Sequence, residues 1–426
     1  MELYELYESN VRSYCRSYNV EFNKAQGAKL YDVKGKSYLD FLAGCGSLNY
    51  GHNHPILKEA LLKYIREDGV AMSLDMHSSA KSQFIESFKT HVLGPRKLDY
   101  RIQFPGPTGT NAVEAAIKLA RKITRRTNIV AFTNGFHGCS LGALSLTANS
   151  HHRSSSTALL NNVTRIPYDG YLDSDLDSSK LLQAMLDDPS SGVDKPAAII
   201  FECIQGEGGL NTASKEWAQS IEKIAREHNI LLIVDEIQSG CGRSGHFFSF
   251  EALDIKPDII TLAKSLSGYG LPLALVLIKP DFDQWEPGEH NGTFRGNNHA
   301  FVTGAYSFIA FWQDQRFEIQ LHENIRKVDG FLAKIATKYN LRSKGRGMMQ
   351  GINLEDEKLS LSVKKHCFEH GVIVETSGSR DEILKIFPPL NISNQEIEDG
   401  FEIINSAIEA SLCLPAASME QITGIA

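Results

Sequence analysis

Five short and almost wholly apolar runs in the middle of the chain constrain its fold more than any other feature. They are Asn128–Phe132, Ala197–Phe201, Ile230–Val234, Asp258–Leu262 and Leu273–Ile278. Each has the length of a strand, and the lack of polar alternation is typical of strands that are buried on both faces of a sheet. Longer amphipathic stretches, such as Ser214–His228, lie between several of the runs. This alternation predicts an α/β fold with a mostly parallel sheet covered by helices.

The two ends of the chain have a different pattern. Residues up to about 60 contain glycine-rich turns and short strand signals, and residues 320–412 mix helices with short strands. We therefore predict a large domain over residues 61–319 and a smaller α+β domain assembled from residues 1–60 and 320–412. A chain of 426 residues is long enough for more than one core. Residues 413–426 have little pattern and are predicted to form a disordered tail.

Composition argues against several classes of protein. The net charge of −7 is spread along the chain without a basic block, which argues against a nucleic-acid partner. No apolar run approaches the ~18 residues that span a bilayer, and the acidic first residues do not resemble a secretory signal, so we expect a cytoplasmic protein without a membrane partner. The seven cysteines lack CxxC spacing, which argues against a disulfide framework and a zinc site.

A turn rich in glycine and threonine, Gly106–Asn111, comes directly before a strong helix former, Ala112–Arg121. Free backbone N–H groups and the helix dipole favour an anion at such a helix start, and the threonine hydroxyls add donors. A plain helix cap without a ligand is an equally good explanation of the turn alone. Ligands of parallel sheets bind beyond the carboxyl ends of the strands, so residues that follow the apolar runs are the next candidates.

Two such residues are Asp235 and Lys264. Asp235 follows an apolar run, where a partly buried carboxylate needs a cationic partner, although an aspartate that caps the next turn is the commoner case. Lys264 closely follows another run and precedes a stretch rich in serine and glycine. An apolar setting favours the neutral, nucleophilic form of a lysine amine, although most lysines are solvated surface residues.

Together, these positions supply an anion site, a carboxylate and a lysine amine near one edge of the sheet. An enzyme that uses pyridoxal 5'-phosphate (PLP) needs these three groups as phosphate anchor, partner of the pyridine nitrogen and Schiff-base amine. We therefore predict a PLP site that contains Lys264 and Asp235, and we expect no metal site.

The chain resembles the class III (ω-) aminotransferases over nearly its whole length, through a series of motifs in the family's order. The segments that carry the resemblance are Tyr31–Phe41, Asn49–Pro55, Phe132–Gly138, Glu202–Gly209, Gly292–Phe294 and, more loosely, Gly345–Met348. One departure is Cys203, which replaces the proline of the family's EPxQGExG motif. The resemblance implies the PLP-dependent transferase fold of type I, and a homodimer or higher oligomer with shared active sites.

The resemblance also implies which residues bind the cofactor. Gly109 and Thr110 would bind its phosphate, and Thr293 would reach the phosphate in the neighbouring subunit. Phe136 would stack on the cofactor ring, with His137 beside it as a further cofactor-binding residue.

Three more residues receive roles in the same way. Asp235 would hold the pyridine nitrogen protonated, so that the ring acts as an electron sink, and Gln238 would bond the 3-oxygen of the ring. Lys264 would form the Schiff base and then move the proton between the substrate carbon and the cofactor carbon.

Within the family, the chain resembles in particular the diaminobutyrate–2-oxoglutarate aminotransferases of ectoine synthesis. The segments that carry this similarity are Gly27–Asp32, Leu48–Pro55, Leu74–Met76, Leu98–Tyr100, Gln103–Glu114 and Asn128–Gly138. The similarity implies transfer of the amino group of L-glutamate to L-aspartate 4-semialdehyde, which gives L-2,4-diaminobutanoate and 2-oxoglutarate. Open alternatives are an aminotransferase for ornithine or 4-aminobutanoate, a PLP mutase or racemase, and a non-catalytic protein. The last would be expected to lose Lys264, Asp235 or the phosphate turn.

Two positions depart from the ornithine-type members, and both concern carboxylate binding. Cys139 stands where those members have an arginine, and Lys385 replaces a second arginine shortly before Pro388–Leu390. We expect Glu202 to pair with Lys385 while a substrate with a terminal amine is bound. When glutamate enters, this pair would open and Lys385 would bind the α-carboxylate, less firmly than an arginine would. A solvated surface lysine is the simpler alternative.

Overall fold

The structure, a computed structural model, describes residues 2–154, 160–171 and 177–413. The tail that we predict over residues 413–426 therefore lies outside the described residues, except for Cys413. Across these ranges, no helix is both long and apolar enough to cross a bilayer. Nor are three histidine, cysteine, aspartate or glutamate side chains of these ranges grouped as ligands for a metal ion.

Strands and helices alternate through much of the chain. The strands are Phe22–Gln26 (β1), Lys29–Asp32 (β2), Ser37–Asp40 (β3), Arg101–Gln103 (β4), Ile129–Phe132 (β5), Val163–Ile166 (β6), Ala198–Phe201 (β7), Ile204–Gln205 (β8), Asn211–Thr212 (β9), Leu231–Asp235 (β10), Ile259–Leu262 (β11), Leu275–Ile278 (β12), Arg342–Arg346 (β13), Met349–Asn353 (β14), Val372–Ile373 (β15), Glu375–Ser377 (β16) and Ile383–Ile386 (β17). The α-helices are Glu2–Tyr7 (α1), Tyr14–Ser17 (α2), Ala43–Gly46 (α3), Pro55–Arg66 (α4), Ser79–Phe88 (α5), Gly109–Thr124 (α6), Leu141–Leu146 (α7), Ser150–Ser154 (α8), Ser178–Asp187 (α9), Lys215–Glu227 (α10), Asn298–Trp312 (α11), Arg316–Tyr339 (α12), Glu357–Glu369 (α13) and Asn394–Leu412 (α14). Short 3₁₀ helices lie at Ser249–Leu253, Lys264–Ser267, Pro280–Phe282 and Thr293–Gly296, and a π-helix spans Lys89–Leu93.

The central sheet has seven strands in the order β4-β12-β11-β10-β7-β5-β6. The pairs β11–β10, β10–β7, β7–β5 and β5–β6 are parallel, and the two pairs that involve β12 are antiparallel. Every residue of β5, β7, β10, β11 and β12 is buried. The predicted α/β fold with a mostly parallel sheet is therefore confirmed, and the five apolar runs form strands because this sheet buries both of their faces.

Helix α10 shows how the sequence produces a covering helix. The side chain of Ser214 accepts a hydrogen bond from the backbone N–H of Trp217 (3.3 Å), which caps the helix start. Trp217, Ile221 and Ile224 are buried on one face, at the spacing of an amphipathic helix. This face packs against β10, as the stretch Ser214–His228 predicts.

Two smaller sheets are built from the ends of the chain, and one of them joins the two ends. One has the order β1-β2-β3-β15, and its parallel pair sets Val372 opposite Leu39 and Ile373 opposite Asp40. The other has the order β13-β14-β17-β16. Strand pairing therefore links the first 40 residues to the last hundred, while the exact domain boundaries near residues 60 and 320 stay a prediction.

Candidate active site

A cavity of about 340 Å³ lies where the parallel strands of the central sheet end. Its lining includes most of the residues predicted from the sequence, namely Gly109, Thr110, Phe136, His137, Glu202, Asp235, Gln238 and Lys264. Strands β5, β7, β10 and β11 run in the same direction, so the segments that follow them meet at one edge of the sheet.

Asp235 is the last residue of β10 and is 3% exposed. Its Oδ2 atom lies 2.7 Å from Nδ1 of the buried His137, and its Oδ1 atom accepts hydrogen bonds from the Thr261 hydroxyl (3.0 Å) and the Ile237 backbone N–H (3.1 Å). These contacts hold the carboxylate in one orientation in the cavity wall. A buried carboxylate in this position can stabilise a cationic group of a ligand.

Lys264 follows β11 after Ala263 and lines the same cavity. Its backbone φ of +50° lies in the left-handed region, which a non-glycine residue adopts where the surrounding structure imposes it. The nearby acids are paired with other groups, because Glu207 contacts Lys385 (3.1 Å) and Asp235 contacts His137 (2.7 Å). The amine of Lys264 is therefore available to a ligand.

Helix α6 begins at the cavity with Gly109 and Thr110. The hydroxyl of Thr108, the residue before the helix, donates a hydrogen bond to the Asn111 side chain (2.8 Å), which stabilises the turn. As first-turn residues, Gly109 and Thr110 have backbone N–H groups without a carbonyl acceptor in the helix. The positive end of the dipole of this 16-residue helix therefore provides a site for an anion such as phosphate.

Lys385 lies in β17 and is completely buried, so the alternative of a solvated surface lysine is wrong. Its Nζ atom lies 3.1 Å from Oε1 of Glu207 and 3.2 Å from Oε2 of Glu375. The predicted pair of Glu202 and Lys385 is also wrong. Glu202 instead accepts hydrogen bonds from the backbone N–H groups of Phe136 (2.8 Å) and Gly206 (3.2 Å).

The two acids of the EPxQGExG-like segment therefore have different environments. Glu202 directly follows β7 and is buried in the cavity wall, where burial raises its pKa to about 7. Glu207 lies in the loop between β8 and β9, and its side chain is 32% exposed. Burial would raise the pKa of Glu207, but the ammonium groups of Lys385 and Lys264 lower it to about 2. The loop brings Glu207, and not Glu202, to the lysine.

The structure leaves three other predicted roles as predictions. Gln238 lines the cavity, and its amide donates hydrogen bonds to Oε1 of Glu207 (2.9 Å) and to the backbone carbonyl of Cys45 (3.3 Å). Phe136 lines the cavity, which is compatible with stacking on a cofactor ring. Thr293 is not in the lining of this cavity; it borders a separate surface recess together with Leu74.

Sequence reasoning missed Glu207, Glu375, Cys45 and Tyr14. A signal existed for two of them, because Glu207 is the second acid of a recognised motif and Glu375 follows the apolar run Val372–Val374. Tyr14 donates a hydrogen bond to Glu375 (2.5 Å) across 361 residues of sequence, and no local pattern predicts such a contact.

Comparison with known proteins adds to this geometry. Residues 12–408 match the family Aminotransferase class-III. The chain is 52% identical to the diaminobutyrate–2-oxoglutarate transaminase of Vibrio parahaemolyticus, over 96% of this chain and 97% of that protein. It is 53% identical to the protein of the same name from Vibrio cholerae, over 96% and 100% of the two chains. The ornithine aminotransferase structure from Toxoplasma gondii superposes with a TM-score of 0.81 at 25% identity and covers 96% of this chain and 94% of that one.

The cofactor of this family is PLP, and the cavity fits it. The start of α6 suits the phosphate, the carboxylate of Asp235 suits a protonated pyridine nitrogen, and the amine of Lys264 suits the aldehyde. The volume of about 340 Å³ is in the range of small-molecule sites. By its sequence match, its fold and these residues, the chain belongs to the class III aminotransferase family, with the PLP-dependent transferase fold of type I.

Proposed function

We propose that this chain transfers the amino group of L-glutamate to L-aspartate 4-semialdehyde and releases L-2,4-diaminobutanoate and 2-oxoglutarate, as in ectoine-type synthesis. One contrast carries the proposal. Identity is 52–53% to relatives named diaminobutyrate–2-oxoglutarate transaminases, and it is 25% to an ornithine aminotransferase. Lys385 and Cys139, which stand where ornithine-type members have arginines, agree with this contrast.

The residues of the cavity have distinct tasks in such a reaction. When bound, PLP supplies a ring that takes up the negative charge of the reacting substrate carbon. Asp235 would hold the ring nitrogen protonated, and His137 keeps the Asp235 carboxylate in position. With PLP bound, the Nζ atom of Lys264 would serve as the base that takes the proton from the amino-bearing carbon and as the acid that returns it. The start of α6 holds the phosphate and thereby fixes the ring.

Two substrates of different shape must use the same cavity. Glutamate has a carboxylate beside the reacting amine, whereas diaminobutanoate reacts, in the reverse direction, through a terminal amine. In our proposal Glu207 pairs with Lys385 when diaminobutanoate is bound and moves aside when the α-carboxylate of glutamate takes its place. The partly exposed side chain of Glu207 and its loop position support this movement.

The proposal includes an assembly and a location. We propose a homodimer in which Thr293 completes the phosphate site of the partner subunit, which is supported by its position outside the cavity of its own chain and by the 64% exposure of the adjacent Phe294. Light scattering tests the dimer.

A cytoplasmic location is supported by seven unpaired cysteines, which suit a reducing compartment.

Transfer of a nitrogen label tests the proposed reaction. Purified protein with PLP, [¹⁵N]glutamate and L-aspartate 4-semialdehyde should yield diaminobutanoate with the label on C4, because the aldehyde carbon receives the amino group. Absence of labelled diaminobutanoate, with efficient labelling of ornithine from glutamate 5-semialdehyde instead, would contradict the proposal and favour the ornithine alternative.

A further inference from the structure

Glu375 is a buried acid that the proposed reaction does not use. It is not in the cavity lining, and it contacts Lys385, which in turn contacts the lining residue Glu207. It begins β16 and is 6% exposed. Its Oε1 atom accepts hydrogen bonds from the hydroxyl of Tyr14 (2.5 Å) and the thiol of Cys45 (3.3 Å). Its Oε2 atom has no hydrogen-bond partner among the described residues and lies 3.2 Å from Nζ of Lys385. The carboxylate is therefore held from one side and directed at the lysine from the other.

Lys385 thus has two counter-ions, Glu207 and Glu375, whose side chains differ in how easily they can move. Glu375 and Lys385 are direct partners in the antiparallel ladder of β16 and β17, so the backbone fixes the separation of their Cα atoms. Glu207 lies in a loop, and its side chain is 32% exposed against 8% for that of Glu375. The contact with Glu207 can therefore open more easily than the contact with Glu375, whose buried carboxylate is held by Tyr14 and Cys45.

The charges of this cluster depend on where Glu207 is. With both acids in contact, two carboxylates and one ammonium give a net charge of −1. When Glu207 moves away, Glu375 still balances the charge of Lys385, and the pair is neutral. Burial would lower the pKa of Lys385, but Glu207 and Glu375 raise it well above its ordinary value, so the lysine is charged in the closed arrangement. An incoming α-carboxylate therefore meets a lysine whose charge is already compensated.

We infer that Glu375 is a fixed second counter-ion of Lys385 and that it sets the balance between the two substrates, because it weakens the binding of the α-carboxylate of glutamate without affecting a substrate that leaves Glu207 in place. The inference rests on the proposed function, in which glutamate and a terminal-amine substrate share the cavity. Glu375 acts through Lys385 and is therefore a positioning residue that determines specificity.

The two half-reactions, each followed separately by cofactor absorbance, test this inference. In Glu375→Gln, which keeps the shape and removes the charge, the half-saturating concentration of glutamate should fall by about fivefold or more, the usual lower end for coupling between two sites. That of diaminobutanoate should change less than twofold. Glu375→Asp, which keeps the charge, should stay close to the wild type. Glu369 is an exposed acid near Glu375 in the sequence, and Glu369→Gln serves as the control.

If Glu375 had a purely structural role, Glu375→Gln would weaken the binding of both substrates together. Equal losses in the two half-reactions, or an unchanged half-saturating concentration of glutamate, would therefore overturn the inference. Tyr14→Phe provides a second test if Glu375→Gln does not fold. Loss of the hydrogen bond from Tyr14 leaves more negative charge facing Lys385, so the half-saturating concentration of glutamate should rise. A fall would again overturn the inference. If diaminobutanoate fails to react with the wild type, the proposed function fails, while the glutamate half-reaction still tests Glu375.

Discussion

At the scale of single residues, the surroundings of each acid decide what it can do in the cavity. Burial raises the pKa of Glu202 to about 7, and two backbone N–H groups fix its carboxylate. The lysines beside Glu207 lower its pKa to about 2, so it stays ionised over the working range of an enzyme. One acid therefore supports the wall of the cavity, and the other supplies a movable negative charge.

Lys264 is expected to carry the cofactor. Borohydride reduction of the yellow protein should attach the pyridoxyl group to the peptide that contains Lys264, as peptide mass spectrometry can determine. Lys264→Ala should lose at least ~10²-fold in turnover, because the general acid–base group that moves the proton is removed. Lys256→Ala, an exposed lysine, is the control and should be unaffected. A pyridoxyl group on any other lysine would refute this role.

Asp235 is expected to stabilise charge on the cofactor ring. Asp235→Asn preserves the shape of the side chain but removes the charge that keeps the ring nitrogen protonated. Single-turnover rates with glutamate, followed by cofactor absorbance, should fall at least ~10²-fold, the scale for loss of one electrostatic stabiliser. The exposed Asp254→Asn should react at the rate of the wild type. Near-normal rates in Asp235→Asn would mean that Asp235 only supports the fold.

The choice between Glu202 and Glu207 shows where residue-level prediction stops. Both acids belong to one short segment, and the sequence alone contains no information on which of them faces β17. Lys264 and Asp235 were easier to predict as cavity residues, because each directly or closely follows an apolar strand and the topology of a parallel sheet then determines where it lies.

At the scale of elements, the cofactor site depends on the approach of the loop after β5 to the start of α6. Gly138 in that loop has a φ of +126°, and a Cβ atom there would lie 2.5 Å from Oγ1 of Thr110. The Thr110 hydroxyl in turn contacts that of Ser140 (2.6 Å). The central strands and α10 were predictable from apolar periodicity, but this approach was not, because it depends on a glycine that has no side-chain signal.

A methyl group at Gly138 should disturb the phosphate site. In Gly138→Ala the new Cβ atom would displace the side chain of Thr110 at the start of α6, so affinity for PLP should fall about tenfold or more, since a 1 Å misplacement at a site has effects of this size or larger. Fluorescence titration of the apoprotein with PLP measures this. Gly192→Ala is a control for placing an alanine at a positive φ (+77°), because its surroundings are open. Equal affinities in the two variants would contradict this account of the loop.

At the scale of the whole molecule, the two ends of the chain cooperate with its middle. The N-terminal Tyr14 contacts Glu375, which contacts Lys385, which contacts Glu207 from the central segment. Long-range contacts of this kind, like the strand pairing between β3 and β15, could not be derived from local patterns. The general class of fold was nevertheless predictable, because five of the seven strands of the central sheet coincide with the buried apolar runs.

Buried acids should make the stability of the whole molecule depend on pH. Burial raises the pKa of Glu236 to about 7, although Ser249 and Phe250 donate hydrogen bonds to it. The folded state therefore binds this proton more tightly than the unfolded state, and the resulting stability is present below pH 4.5 and is lost as the pH rises through 7.

Urea unfolding of the wild type and of Glu236→Gln, at pH 6 and pH 8, tests this dependence. Between these pH values the wild type should lose about 1 kcal/mol more of its free energy of unfolding than the variant, from the linkage of a single group of this pKa. The exposed Glu357→Gln should behave as the wild type. Identical pH dependence in wild type and Glu236→Gln would show that Glu236 has an ordinary pKa in the folded protein.

The choice of amino donor distinguishes the proposed reaction from its alternatives. With 2-oxoglutarate as acceptor, kcat/KM should be measured for L-2,4-diaminobutanoate, L-ornithine and 4-aminobutanoate on the same preparation. The kcat/KM for diaminobutanoate should exceed both others by about tenfold or more, the scale of one methylene in a fitted pocket. A kcat/KM for ornithine or 4-aminobutanoate equal to or above that for diaminobutanoate would contradict the account.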